Sequence, residues 1–284
     1  MSTMLLVAAA KTESEHKSMS KTSAEVHLFI TGGWDSTFML CKLSRRSVTI
    51  KPIYVLNPKR KSHNKELAVA KTIIKAVRKH PNTKAEIKNL KIINLSDINI
   101  DQNVISARHR IMKKTGIIGY QYDYLATVAK GIGMVGLGIE KDLTNQEDGA
   151  SAALKRLAKL KLGRYGWIVD QSVSDPDVNL IFGHIIFPII DMTELEMVEW
   201  TKKYGYTEIM SLIWFCHSPI HGQPCGLCRP CEEKINSKMD FLLPEESIKR
   251  YLRAKKLKRL GDKPSRATKN LFIFLLGDKS NSGK

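Results

Sequence analysis

Four cysteines in the last third of the 284-residue chain have the spacing of a metal site. Cys225, Cys228 and Cys231 follow one another at three-residue intervals, and Cys216 precedes them by nine positions. Two cysteines separated by two residues can chelate one ion from a tight turn, and Zn²⁺ prefers four ligands in a tetrahedron. The spacing therefore predicts one Zn²⁺ ion held by four thiolates.

Two alternatives to this site stay open. His217 and His221 lie between the first two cysteines and can compete for one ligand position, and four cysteines can also hold an iron–sulfur cluster. A shell of cysteines alone leaves no position for water, so we expect the site to stabilise the fold and not to catalyse. Cys41 lies apart on an apolar segment and is predicted to be a buried core residue.

A glycine-containing turn near the start of the chain carries a second group of reactive side chains. It reads Thr-Gly-Gly-Trp-Asp-Ser-Thr and follows the apolar run Val26–Ile30. Glycines let the backbone approach an anion closely, and the free N–H groups of a following helix point toward it. The turn therefore predicts a phosphate-binding loop, formed by Thr31, Gly32, Gly33, Trp34, Asp35, Ser36 and Thr37.

Three side chains of this loop have expected chemical roles. Ser36 and Thr37 offer hydroxyl donors, whereas Asp35 can orient Mg²⁺ or the loop itself. Asp35 and Ser36 are therefore the candidate catalytic residues. The alternative interpretation is an ordinary turn between a strand and a helix.

The pattern of apolar residues places the loop in an α/β fold. The predicted strands are Val26–Ile30, Thr49–Leu56, Lys91–Leu95, Met134–Ile139 and His184–Ile190. The predicted helices are Ser36–Lys42, Asn64–Lys79, Tyr122–Lys130, Ala150–Lys161, Glu194–Tyr204, Glu232–Met239 and Glu245–Lys256. Strands that alternate with helices are typical of parallel β-α-β units, so we expect a twisted parallel sheet flanked by helices.

The organisation along the chain follows from changes in composition. Residues 1–24 are expected to be a flexible leader, 25–210 an ATP-binding α/β domain, 211–258 a zinc-binding helical region, and 259–284 a basic tail. Within the second of these segments, Thr193 and Glu196 are spaced as a capping box at the start of a helix.

Charge and cysteine content indicate possible partners and a compartment. The formal net charge is +18, and such a basic surface attracts tRNA, DNA, nucleotides or anionic lipid, although dispersed, solvated lysines are the alternative. No run of about 20 apolar residues is present, which predicts no membrane span. Four clustered cysteines favour metal binding in a reducing cytosol, and so a cytoplasmic protein.

The loop and the cysteine cluster together resemble a known enzyme family. Thr31–Thr37 resembles the Ser-Gly-Gly-x-Asp-Ser loop of the PP-loop ATP pyrophosphatases. Combined with the Cys-x8-Cys-Gly-x-Cys-x2-Cys cluster, it looks like the 7-cyano-7-deazaguanine synthases of queuosine biosynthesis. The similarity covers roughly residues 25–240, and Pro188 followed by Glu196 also resembles the family's stretch before its penultimate helix.

This resemblance implies an ATP-dependent carbon–nitrogen ligase that uses ATP, Mg²⁺ and Zn²⁺. Such an enzyme adenylates the carboxylate of a 7-deazaguanine, ammonia displaces AMP, and a second ATP drives dehydration of the amide to the nitrile. Family members are often dimers, so a homodimer is one expectation.

The chain departs from the family pattern in its middle. Asp142 and Asp148 are the candidate substrate residues, although they can equally cap the next helix on the surface. Gly116–Asp123 lacks the arginine that the family carries there, and Glu194 stands where a lysine is common.

These departures keep two other functions open. In the second option the activated deazaguanine joins an amine on a protein or nucleic acid, or the enzyme modifies tRNA directly. A relative without activity that binds nucleic acid through its charge is the third option, and the presence of Asp35 and Ser36 speaks against it.

Overall fold

A computed structural model describes residues 24–141 and 149–259, with side chains described up to residue 256. The predicted leader, apart from residue 24, and the predicted tail, apart from residue 259, lie outside these ranges. The strands are β1 (Glu25–Phe29), β2 (Thr49–Leu56), β3 (Glu86–Ile87), β4 (Lys91–Asn94), β5 (Val135–Gly136), β6 (Leu160–Leu162), β7 (Trp167–Val169) and β8 (Ile185–Phe187).

Helices connect most of these strands. They are α1 (Trp34–Ser44), α2 (His63–Lys79), α3 (Gln102–Thr115), α4 (Gln121–Ile132), α5 (Ala150–Leu157), α6 (Pro176–Phe182), α7 (Glu194–Tyr204), α8 (Thr207–Met210), α9 (Arg229–Asn236) and α10 (Glu245–Arg259). Short 3₁₀ turns occur at Leu95–Asp97 and Asp240–Leu242.

The eight strands form one mostly parallel sheet in the order β3-β2-β1-β5-β8-β7-β6, and β4 also pairs with β2. β1 pairs in parallel with both β2 and β5, and β5 pairs in parallel with β8. The sheet departs from the expected parallel arrangement at one edge, where β7 runs antiparallel to both β8 and β6. A tight turn joins β6 to β7, and a turn of this kind places consecutive strands antiparallel without a helical crossover.

Helices cover both faces of the sheet because the inner strands are apolar on both sides. In β1, Leu28 packs on the face covered by α1, α2 and α7, whereas Phe29 packs on the face covered by α3 to α6. Phe38 of α1 and Phe182 of α6 are fully buried on these two faces. A third, smaller core surrounds the cysteines and includes Trp214.

The predicted elements fit the observed ones unevenly. The bounds of β2 and α7 are confirmed, and so is the capping box, in which Thr193 and Glu196 bond each other's backbone N–H groups. The predicted helix Ala150–Lys161 is wrong at its end, because the chain leaves the helix at Leu157 and Leu160–Leu162 pairs with β7.

Among the described residues, no helix is both long enough and apolar enough to cross a membrane.

Candidate functional site

The predicted phosphate loop lies where the direction of strand order changes. From β1 the chain passes to β2 on one side, and it reaches β5, the neighbour on the other side, only after α4. In open α/β sheets such a switch point leaves a crevice at the carboxyl ends of the strands, and ligands bind there. Thr31 to Gly33 leave β1 at this crevice, and Gly138 leaves β5 opposite them.

The side chain of Ser36 braces the loop from inside. Its Oγ accepts a hydrogen bond from the Thr31 amide at 3.2 Å, lies 3.1 Å from Thr31 Oγ1, and donates to the Gly33 carbonyl at 3.3 Å. Thr31 Oγ1 in turn accepts from the Gly33 amide at 3.2 Å. The serine predicted to be a hydroxyl donor for phosphate therefore also holds the loop in shape.

The start of α1 leaves polar groups without partners in the described part of the chain. Gly33 caps the helix without a side-chain hydrogen bond, and the first amides of a helix have no intrahelical acceptor. Three buried side-chain atoms also have no hydrogen-bond partner: Trp34 Nε1, Asp35 Oδ1 and Thr37 Oγ1. Because buried polar groups are normally satisfied, these atoms make the start of α1 a candidate site for a polar ligand.

Two glycines allow the loop to pack closely. Gly32 has φ +78°, and a Cβ there would lie 3.1 Å from the Ala70 amide nitrogen. A Cβ on Gly138 would lie 2.8 Å from the Cβ of Asp35 and 3.0 Å from the Ser36 nitrogen. The exit of β5 therefore touches the first turn of α1, and only glycine permits that contact.

A cleft of about 230 Å³ opens beside the loop. It is somewhat smaller than the about 300–1,000 Å³ of typical small-molecule sites. The ends of β1 and β2 form its floor, and Gln121 and Tyr124 of α4 form a wall. Burial raises the pKa of Tyr124 to about 12, so its hydroxyl stays neutral near pH 7.

Arg60 supplies a positive charge at the edge of this cleft. Its Nη1 lies 3.3 Å from the buried Glu66 carboxylate, which also accepts from the hydroxyls of Tyr54 and Ser62. Its Nη2 lies 3.0 Å from His217 Nε2. Burial, followed by the Arg60 charge, lowers the pKa of His217, so the neutral ring accepts a hydrogen bond from the arginine.

The four predicted ligands come together as one cluster. The sulfur atoms of Cys216, Cys225, Cys228 and Cys231 all lie within 4.8 Å of one another. The sulfur atoms are 3.4 Å apart in Cys228 and Cys231, 3.9 Å in Cys216 and Cys228, and 4.0 Å in Cys225 and Cys231. A tetrahedron with bonds of about 2.3 Å has edges of about 3.8 Å, so the arrangement can hold a single metal ion.

Backbone amides support the cluster. Cys216 Sγ accepts from the Cys225 amide at 3.2 Å, and Cys225 Sγ accepts from the amides of Leu227 and Cys228 at 3.3 Å. Such bonds favour the thiolate, which is the form that binds a metal. His217 faces Arg60, so the geometry favours four sulfur ligands over a histidine ligand.

Helix α10 packs across the cysteine turn. Arg250 donates to the carbonyls of Cys225 at 2.9 Å and Pro224 at 3.1 Å. Gly226 has φ +76°, and a Cβ there would lie 2.0 Å from the Ser247 carbonyl oxygen. The glycine between the two cysteines therefore gives the turn its conformation and makes room for α10.

Trp214 links the loop to the cysteine cluster. The Trp214 amide donates to the Gly32 carbonyl at 2.9 Å, while the Trp214 indole N–H donates to the Cys216 carbonyl at 2.9 Å. On the other side, Lys234 of α9 is buried near Asp35 and forms an ion pair with Glu194. Burial raises the pKa of Asp35, and the Lys234 charge opposes that rise.

The remaining candidate residues lie in different parts of the chain. Asp142 and Asp148 lie outside the described residues. In the unusual middle segment, Asp123 is buried in an ion pair with Arg108 of α3, at 2.7 Å, and so joins two helices. Sequence reasoning missed Arg60. The run Lys-Arg-Lys in the loop after β2 was a usable signal, because loops after neighbouring parallel strands meet at one edge of the sheet.

Lys234 was also missed. Its signal was its position one helical turn after Cys231, which directs both side chains to the same face of α9.

No model of a known protein family matches the chain, and no curated protein matches it either.

Proposed function

We propose that the chain is an ATP-dependent enzyme that activates a carboxylate as its adenylate, at the cleft beside Thr31–Thr37. The observation that carries this proposal is the cluster of unsatisfied polar atoms at the start of α1, in a glycine turn at the switch point of the sheet. Helix N-termini favour anions through their free amides and their dipole. These amides and this dipole would favour the negative charge of a triphosphate.

Different residues of the cleft would bind different parts of the ligands. The amides of Trp34 to Ser36 would receive the phosphates. Asp35 would take part in holding Mg²⁺, which commonly binds through one or two carboxylates together with substrate phosphates. Arg60 would contact a phosphate or the carboxylate of the substrate, and Tyr124 would stack on a planar ring.

The resemblance described above supports a particular reaction. A carboxylate oxygen of a 7-deazaguanine attacks the α-phosphorus of ATP, the bond to the bridging oxygen breaks, and pyrophosphate leaves. Ammonia then attacks the acyl carbon, AMP leaves, and one proton is released to give the amide. The amide oxygen attacks a second ATP in the same way, and loss of AMP with the two N–H protons gives the nitrile.

The cysteine cluster would hold Zn²⁺ as a structural ion. Four thiolates complete its tetrahedral shell, so the ion would contribute to folding and leave no position for a substrate.

The test is release of AMP and pyrophosphate from purified protein with ATP, Mg²⁺, ammonia and 7-carboxy-7-deazaguanine. We expect Ser36→Ala to lower the rate by about 10²-fold, the effect of losing one hydrogen bond in a preorganised site. Ser211→Ala is the control, because Ser211 is exposed and its hydroxyl bonds only within its own helical segment. Folded protein with one zinc ion per chain that releases no AMP would refute the reaction.

A second candidate keeps the adenylation and changes the acceptor to an amine on a protein or nucleic acid. The observation in its favour is a basic rim beside Arg60, where Lys59, Lys61 and Lys65 are exposed. Full turnover with free ammonia, unaffected by added RNA or protein, would exclude this version.

A further inference from the structure

Helix α9 belongs to the cysteine cluster and to the phosphate loop at the same time. Cys231 lies in its first turn, and Lys234 follows one turn later. Residues three positions apart share a helix face, so both side chains point into the protein. Cys231 is fully buried, and Lys234 is 8% exposed. A metal bound by Cys231 therefore fixes the part of the helix that carries the lysine.

The buried Lys234 ammonium connects three elements. It forms an ion pair with Glu194, at the start of α7, and both side chains are 11% exposed. It lies 5.7 Å from the ring centroid of Trp34, at the start of α1, within range of a cation–π interaction. Its charge also acts on Asp35 in the phosphate loop.

A buried ammonium is stable only where opposite charge surrounds it. Burial lowers the pKa of Lys234, and the neighbouring Asp35 and Glu140 oppose this effect. The same attraction acts in the other direction: burial raises the pKa of Asp35, and the Lys234 charge opposes that rise. Displacement of α9 would therefore leave a carboxylate of the loop without its compensating charge.

A second link joins the loop to the cluster on the N-terminal side of Gly33. Gly32 accepts the hydrogen bond from Trp214, whose indole bonds the Cys216 carbonyl. The two links therefore lie on either side of Gly33. One is the backbone hydrogen bond to Gly32, and the other is the Lys234 charge beside Asp35.

We infer that Lys234 is a positioning residue that makes the order of the Thr31–Thr37 loop depend on metal bound at the four cysteines. Metal loss frees the first turn of α9, Lys234 moves away from Trp34 and Asp35, and the loop loses its fixed conformation. The consequence for nucleotide affinity rests on the proposed function, whereas the coupling of metal to loop does not.

The experiment measures amide hydrogen exchange of a peptide covering residues 28–44. It compares metal-loaded wild type, wild type at graded zinc occupancy after chelation, and metal-loaded Lys234→Met. We expect Lys234→Met to keep one zinc ion per chain while the loop amides exchange about tenfold faster or more, because a buried ion pair loses one partner. Falling zinc occupancy should accelerate the same amides in wild type.

Two variants serve as controls. Lys249→Met removes an exposed lysine of α10 that pairs with Glu245 and Glu246, and it should leave the loop unchanged. Lys234→Arg keeps the charge and should restore most of the protection lost in Lys234→Met. Loop exchange that is independent of both zinc occupancy and Lys234 would overturn the inference. The occupancy series in wild type provides this answer even where Lys234→Met folds poorly.

Equilibrium dialysis of Mg²⁺–ATP on the same samples separates the two proposals. Coupled exchange together with tight binding that weakens about tenfold in Lys234→Met supports both. Coupled exchange in a wild type that binds no ATP leaves the coupling in place and refutes the proposed function. Tight ATP binding with uncoupled exchange refutes the coupling alone.

Discussion

At the scale of single residues, Gly226 and Gly222 separate two roles that glycine has in the cysteine region. Both have a left-handed backbone, with φ of +76° and +74°. A Cβ on Gly226 would collide with the Ser247 carbonyl, whereas a Cβ on Gly222 would meet nothing within 4 Å. A substitution at either position therefore strains the backbone in the same way, but only a substitution of Gly226 also creates a clash.

We expect Gly222→Ala to lower the free energy of unfolding by about 1–2 kcal/mol, the cost of a left-handed alanine. Gly226→Ala should cost clearly more and reduce the zinc content of the purified protein, because α10 must move off the cysteine turn. Urea unfolding and metal analysis of both variants check this. Equal losses in the two variants would contradict the role given to the contact with Ser247.

At the scale of elements, the clearest local signals in the sequence were the reliable ones. The capping residues of α7 and the β-branched run of β2 gave correct bounds because local chemistry alone defines them. β6 and β7 were missed because they are three residues long and exist through pairing with each other and β8. Helix α6 was also missed, although Asp175 and Pro176 form a recognisable start signal.

The capping box of α7 provides a prediction for this scale. Thr193→Ala should destabilise the protein by about 1 kcal/mol, since it removes the N-cap hydrogen bonds. Thr72→Ala is the matched control, because the exposed Thr72 hydroxyl only bonds the Ala68 carbonyl inside α2, and alanine is the better helix former. Urea unfolding near neutral pH measures both.

The same variant has an expected pH dependence. Bonds from the Thr193 amide and hydroxyl lower the pKa of Glu196 below its ordinary 4.5. A carboxyl with a depressed pKa stabilises the fold above its unfolded pKa, and this contribution is lost as pH falls through the folded pKa. The difference in stability between wild type and Thr193→Ala should therefore shrink below pH 4.5. A constant difference would contradict the contribution of Glu196.

At the scale of the whole molecule, the sequence predicted the sheet, its flanking helices and the grouping of the four cysteines. It did not predict that the loop and the cysteine cluster would be linked. The link depends on Trp214 and Lys234, which carry no motif of their own and act only through tertiary packing. The position of Arg60 at the cleft likewise follows from the pairing of β1 with β2, which is a tertiary contact.

The net charge of +18 also belongs to this scale. If the basic rim beside the cleft binds RNA, the logarithm of the binding constant for a short RNA should fall linearly with the logarithm of salt concentration. The double variant Lys59→Gln and Lys61→Gln should reduce that slope by about two, one for each lost phosphate contact. Lys202→Gln on α7 is the control, and fluorescence anisotropy is the measurement. Equal slopes in all three proteins would exclude phosphate contacts at the rim.

The contact between the phosphate loop and α9 has a consequence for biosynthesis. Asp35 leaves the ribosome early, and Lys234 follows about 200 residues later, which takes about 10–40 s at 5–20 residues per second. During that time the nascent loop has neither its lysine nor its tie to Trp214. Until Lys234 has emerged, a ribosome-bound chain therefore cannot complete the contact between α9 and the loop, and by the coupling inferred above metal capture by the four cysteines would be the step that completes it.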